Sequence, residues 1–278
     1  MTPFSPVGVY ELNPSEAHHH HTLTRQLADG FESAGYLAVR TPVIDDLKSL
    51  IPGLDDSLLP SVLPLHHPDV PDAILRPDHT TPIARLVASR MSHQLPVKVY
   101  YCAPIFRRPA HDWDAIEQFQ AGCEWIGESG PHADTAILDL CIHQLSQLGI
   151  QDLAIDIGHV QLTQTLSVTH RQALLSGDYS TLGWLPKRGG IDLAQGIPDL
   201  ESLFHSIQSK SYSNRVYLYQ GLVPTLSYYT GFVFTVMAPG YRRPIATGGR
   251  YDGLMGRFGL STPAVGFAIH LNDILDHR

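Results

Sequence analysis

The chain has 278 residues, 43% of them hydrophobic, with 21 prolines, 23 glycines and a formal net charge of −8. That is enough apolar material for one large core or two small ones, and the prolines and glycines are spread as turns between many short elements. The acidic balance, with no basic cluster larger than the pairs Arg107-Arg108, Lys187-Arg188 and Arg242-Arg243, excludes a dedicated nucleic-acid surface, because neutralising phosphates needs gathered cations. Cys102, Cys123 and Cys141 are odd in number and lack C-x-x-C spacing, so a reduced, cytoplasmic protein is expected. The start MTPFSPVGVYEL has neither the basic region nor the apolar run of a leader, and no segment reaches membrane-spanning length.

Asn13-Pro-Ser-Glu16 predicts a helix start, with Asn13 as cap, Pro14 at the first helical position and Glu16 three residues after the cap. Leu23, Leu27, Phe31 and Ala34 give its buried stripe, Gly35 ends it, and Tyr36–Thr41 is expected as a strand stopping at Pro42. His18 to His21 fall inside this helix and point around its axis, so a solvated turn is expected there and no metal site; His66-His67 reads the same way. Val97–Cys102 and Ile116–Ile126 predict a long hairpin joined through the turn-rich Arg108–Asp112.

Pro131–Leu148 predicts an amphipathic helix carrying Ala133, Ile137, Leu140, Cys141, Leu145 and Leu148 on one side, followed by a strand over Leu153–Val160. The stretch Gln161–Ser211 is helical but weakly patterned, and a small helical subdomain or cover is expected over about residues 160–213. Arg215–Leu222, Tyr228–Met237 and Pro244–Thr247 then follow as strands without helices between them. Such a succession implies an α+β fold with an antiparallel sheet and helices packed on one face, and excludes a doubly wound nucleotide fold. Thr247–Gly253 has glycines but not the spacing of a phosphate loop.

In that order the segments resemble the catalytic core of the class II aminoacyl-tRNA synthetases, and within it the histidyl family. The helix to Ala34 with the strand to Pro42 is similar to motif 1, which builds the dimer interface in that class. Tyr101–Arg107 through Gln120–Glu124 is similar to motif 2, and Pro263–Ile269 to motif 3. Leu226–Phe234 and Gly248–Asp252 resemble the two histidine-recognition segments, so the likeness runs from about residue 6 to the end. It implies that Asp78, Gln120, Glu124, Tyr229 and Tyr251 bind histidine, with Arg107, Tyr228 and Arg250 as further pocket candidates. Carboxylates suit an α-ammonium and an imidazole N–H, and a phenol both donates and accepts.

The residues that serve adenylation in that family are not kept. Arg107 survives, but Pro224-Thr-Leu-Ser227 stands where synthetases carry Arg-Gly-Leu-Asp. His270-Leu-Asn-Asp273 replaces a glycine and a Glu-Arg pair, so His270 is expected to crowd a nucleotide and Asp273 to repel its phosphates. Removing one such donor costs about 3–4 kcal/mol, or ~10²–10³ in rate. The chain ends at Arg278 with no expected anticodon-binding domain.

Asp156-Ile-Gly-His-Val160, the Tyr-Tyr-Thr-Gly form at Tyr228–Gly231, Pro6–Pro14 and Leu75–Pro82 are more similar to the regulatory subunits of ATP phosphoribosyltransferase. The resemblance implies a non-catalytic homodimer without cofactor or metal, which activates a short-form catalytic subunit and responds to L-histidine. A stand-alone histidine-binding or amino-acid-activating paralogue is the alternative.

Overall fold

Asn13 opens the first helix as its sequence predicts. Its side chain accepts from the Ser15 and Glu16 amides, while Glu16 accepts the Asn13 N–H at 2.7 Å, closing a capping box. The computed structural model describes residues 8–109 and 114–275. Helix α1 (Pro14–Ser33) buries Leu23, Leu27 and Phe31, whereas Ala34 falls at its exposed C-cap. The histidine run is not evenly solvated: His20 turns inward and meets the Phe119 ring edge-on at 4.2 Å.

The strand expected over Tyr36–Thr41 shrinks to β1 (Leu37–Ala38), parallel to the edge of the following hairpin. After β2 (Ile44–Asp46), α2 (Leu47–Leu50), β3 (Leu63–Pro64) and β4 (Ala73–Leu75), helix α3 (Thr80–Leu86) leads to the hairpin. Strands β2, β4 and β3 form a separate antiparallel sheet over Leu50, Leu54, Leu58 and Ile74. Strands β5 (Val97–Phe106) and β6 (Glu117–Ile126) pair antiparallel from Val97 opposite Ile126 to Phe106 opposite Glu117. The turn expected at Arg108–Asp112 lies partly outside the described residues.

Helix α4 (Pro131–Gln147), β7 (Ala154–His159), α5 (Val160–Thr163), α6 (Val168–Ser176), β8 (Arg188–Gly189) and α7 (Pro198–Ile207) follow. The chain closes with β9 (Val216–Tyr219), β10 (Phe232–Met237), β11 (Ala246–Arg250), α8 (Asp252–Gly256), β12 (Ala264–His270) and α9 (Leu271–Leu275). Nine strands join in the order β1-β5-β6-β12-β11-β10-β7-β9-β8. The sheet is mostly antiparallel, as expected, and β1–β5 and β7–β9 add two parallel pairs to it. Both parallel pairs are reached through long connections, which supply the crossover that such pairing requires.

Alternation along these strands makes two faces. One carries Tyr100, Cys123, Trp125, Phe232, Phe234, Val265 and Phe267 into the main core with α1, α4 and α7. Leu200, Leu203, Phe204 and Ile207 of α7 belong to that core, whereas Ala173 and Leu174 of α6 form a separate small cluster with Leu182 and Val223. The other face carries Val97, Val99 and Tyr101 against Ile83, Ala84 and Val87 near α3 and Leu254 and Met255 of α8, so helices lie on both faces instead of one. Between them this second face presents Gly122, Glu124, Gly249, Gly266 and Ala268, a floor of small residues around one carboxylate.

Candidate functional site

The glycines of the second face leave room for the polar side chains that gather over it: a Cβ on Gly122 would stand 2.5 Å from the Tyr101 hydroxyl, and one on Gly249 3.0 Å from the Tyr229 ring. Gly266 lies opposite Glu124 in the β6–β12 register, and a Cβ on it would stand 1.7 Å from Glu124 Oε2. Glu124 is 2% exposed; its Oε1 accepts from Thr80 Oγ1 at 2.9 Å and its Oε2 accepts from the Tyr251 hydroxyl. Burial pushes its carboxyl up to about 7, against the pull of these two donors and with a further push from the charge of Asp78. Thr80 was not singled out from the sequence; its signal was its place beside Asp78 at the head of a helix.

Asp78 sits on the turn before α3 and is 4% exposed. Its Oδ2 accepts from both the amide and the hydroxyl of Thr81, each at 2.8 Å, whereas Oδ1 is buried without a partner. Burial raises its proton affinity, while the Thr81 bonds and Arg107 oppose that rise. A buried carboxylate oxygen with no donor loses hydration and gains nothing in return. It is an open position for a cationic N–H.

Arg107 lies within electrostatic reach of Asp78, Tyr228 and Tyr101. Its Nε donates to the Pro77 carbonyl at 2.7 Å, which anchors the stem. Tyr228 stands 5.2 Å from the Tyr229 ring and 5.7 Å from the Tyr251 ring, forming an aromatic wall. All three phenols are raised by burial first and then by Glu124 or by one another, so they remain neutral donors. The loop bearing Tyr228 and Tyr229 is clamped from outside: Asp55 accepts the Ser227 amide, and Ser57 Oγ donates to the Thr225 carbonyl at 3.3 Å. Pro224–Ser227 therefore holds the loop by backbone contacts and aims no cation into the pocket.

At the far end of the floor, His270 lies opposite Gln120 in the register. Gln120 Nε2 donates to its Nδ1 at 3.4 Å, and its Nε2 meets Thr247 Oγ1 at 3.3 Å. Burial, helped by Arg107 and Arg243, pushes this imidazole down to about 4, so it is neutral. Arg243 is tied to Asp114 at 2.5 Å. Asp273 sits in the first turn of α9.

Arg250 does not join this pocket, which corrects the expectation for it. It is the next residue in β11 after Gly249, so its side chain leaves the opposite face, where it pairs with Asp134 of α4 and with Asp252 at 3.0 Å. Its Nη2 also donates to the Gly130 carbonyl at 3.2 Å. Asp78, Gln120, Glu124, Tyr228, Tyr229, Tyr251 and Arg107 line one face or its rim, and Arg250 fastens the sheet to the start of α4.

A mostly antiparallel sheet flanked by helices, with a polar pocket of this layout on one face, defines the class II aminoacyl-tRNA synthetase-like core. The family profile described as Histidyl-tRNA synthetase matches residues 8–180 and 185–274, and the chain belongs to that family. Among curated relatives, proteins named ATP phosphoribosyltransferase regulatory subunit from Moorella thermoacetica and Anaeromyxobacter dehalogenans are 28% and 29% identical. Their alignments cover 97% and 96% of this chain and 80% and 88% of theirs.

Three solved structures share the fold. A Bacillus halodurans protein titled ATP phosphoribosyltransferase regulatory subunit/histidyl-tRNA synthetase superposes with a TM-score of 0.86 at 24% identity, over 100% of this chain and 83% of its own. A histidine–tRNA ligase subunit from Alicyclobacillus acidocaldarius gives 0.86 at 25%, over 98% and 96%. Apo histidyl-tRNA synthetase from S. aureus gives 0.73 at 20%, over 98% of this chain and 69% of that enzyme.

Proposed function

We propose that this chain is a non-catalytic regulatory subunit that assembles with a short-form ATP phosphoribosyltransferase, raises its activity and carries feedback by free histidine. The observation that carries the ligand assignment is the buried, unpartnered Oδ1 of Asp78 on the same rim as Arg107. An α-ammonium would complete Asp78, the α-carboxylate would take the arginine, and an imidazole N–H would reach Glu124 between the tyrosines. The names borne by the relatives at 28% and 29% identity support the regulatory role.

The nucleotide side supports a non-catalytic reading. Adenylation develops charge at phosphorus and needs fixed cations aimed at it. Here Pro224–Ser227 offers backbone contacts, Arg243 is paired with Asp114, and neutral His270 stands on the floor between Gln120 and Thr247. Binding without activation leaves the ligand free to act as a signal. Coupling between this pocket and a partner's active site would amount to about 1–3 kcal/mol, reciprocal for binding. A homodimer built through the α1–β1 region belongs to the same proposal.

The test is calorimetric titration of the purified chain with histidine and separately with ATP, followed by an activity assay with a short-form catalytic subunit. Histidine binding, no ATP binding and stimulation of the catalytic subunit are expected. ATP binding with histidine-dependent pyrophosphate exchange, and no stimulation, would overturn the proposal in favour of an amino-acid-activating paralogue.

A further inference from the structure

Residues 220–231 join β9 to β10 with no strand or helix of their own, yet they carry Tyr228 and Tyr229 to the pocket. The ends of this loop are fixed: the Leu222 amide donates to the Tyr219 carbonyl at 3.1 Å, and the Thr230 amide to the Arg250 carbonyl at 2.8 Å. Between those points other elements bond the loop backbone at two places among the described residues, and both partners belong to the 3₁₀ turn Asp56–Ser61 and its cap. Ser57 donates to the Thr225 carbonyl, and Asp55 accepts the Ser227 amide, immediately before the first tyrosine.

Asp55 divides its carboxylate between two distant segments. Its Oδ1 accepts from the Ser57 amide at 2.9 Å, which caps its own turn, while its Oδ2 accepts from the Ser227 amide, 172 residues away. The side chain is buried. Burial favours its protonation, but the bonds from Ser57 and Ser227 outweigh that and hold the carboxyl below its ordinary range, so a charged acceptor faces the loop. Leu226 adds apolar contact on both sides, with Leu50, Leu54 and Leu58 under the small sheet and with Tyr228 and Tyr251 in the pocket-side cluster. Such contact is non-directional and brings the loop down without aiming it. A hydrogen bond to a main-chain amide is directional and fixes the peptide plane.

We propose that Asp55 is a positioning residue of the pocket: its bond to the Ser227 amide sets the peptide plane from which Tyr228 and Tyr229 are aimed, and so sets the affinity for the amino-acid ligand. Only the identity of that ligand rests on the histidine reading given above. Asp55→Asn is the cleanest perturbation, because asparagine offers one acceptor oxygen and a donor in place of two acceptors. Of the Ser57 and Ser227 amides one keeps a partner and the other meets an N–H.

Two measurements on the full chain separate the clamp from its ligand. Hydrogen–deuterium exchange without ligand should show peptides over residues 221–231 exchanging about tenfold faster in Asp55→Asn than in the wild type, with α4 unchanged. Calorimetry should show histidine binding about three- to tenfold weaker in the same variant, because only molecules with the tyrosines in place bind. Asp46→Ala is the control: it removes the bond from the Ser49 amide at the head of α2 and leaves the loop contacts alone. It should lower Tm by about 2–4 °C while keeping both the exchange and the affinity. Unchanged exchange in Asp55→Asn would overturn the proposal. So would faster exchange with an unchanged Kd, or a loss of affinity as large in Asp46→Ala. If the wild type takes up no histidine, the ligand reading fails, and exchange alone decides the clamp.

Discussion

Replacing Glu124 with glutamine separates the two consequences of burying a carboxylate at the floor of the pocket. Burial pushes its carboxyl from an ordinary 4.5 up to about 7, so the folded protein keeps a proton there that the unfolded chain has released. The stabilisation this proton confers is complete below the unfolded value and is lost as pH rises through the folded one. The gap is roughly 2.5 pH units, or about 3 kcal/mol at ~1.36 kcal/mol per unit. Glutamine has no proton to lose and keeps the acceptor for Thr80 Oγ1, while the Tyr251 hydroxyl turns from donor to acceptor.

Urea denaturation of both proteins from about pH 5 to about pH 8 should show wild-type stability falling relative to Glu124→Gln by about 2–3 kcal/mol, levelling above pH 7. Histidine affinity, measured by calorimetry near pH 8, should fall about 10- to 100-fold in the variant, the range for a hydrogen bond to a charged group. In the wild type it should weaken as pH drops below about 7 and the carboxylate takes up its proton. Parallel stability curves would refute the reasoning, because they would mean that Glu124 titrates in the fold as it does in water.

Asp78→Asn removes the charge behind the unpartnered Oδ1 while an oxygen remains for Thr81. Calorimetry should show histidine affinity reduced about thirtyfold or more with little loss of Tm. Arg250→Ala strands the buried carboxylate of Asp134 and should cost about 3–5 kcal/mol in denaturant unfolding, while the folded protein keeps its histidine affinity; a pocket role for Arg250 would show the reverse. Gly266→Ala drives a Cβ into Glu124 Oε2 and within 2.5 Å of the Cys123 carbonyl. It should destabilise by about 1–3 kcal/mol and weaken the ligand together, read from Tm and titration.

Much of this was legible in the chain because it rests on local chemistry. The Asn13-Pro-Ser-Glu16 cap, the Leu23–Leu27–Phe31 stripe and the β5–β6 hairpin follow from spacing and capping within a few residues. Order and type of motif were enough to indicate the synthetase-like core. The sequence reading assigned no element between Pro42 and Pro96, although β2, β3, β4 and α3 lie there, because these elements are short and their apolar residues meet partners distant in sequence.

By itself the sequence determined which groups are present: one arginine where a family pattern has several, an aspartate after Leu-Arg-Pro, and paired tyrosines before a glycine. Only the tertiary structure decided which of them meet. Successive residues at the end of β11 leave to opposite faces, so Arg250, the last of the strand, fastens α4 behind the sheet while Tyr251, the cap of α8 that follows it, bonds Glu124 on the other side. Likewise Asp78 and His79 are adjacent in sequence, yet Asp78 bonds Thr81 within its own turn while His79 reaches across to the Ala103 carbonyl of β5. Side-chain direction is fixed by backbone pairing across more than a hundred residues, and that pairing is a property of the assembled sheet.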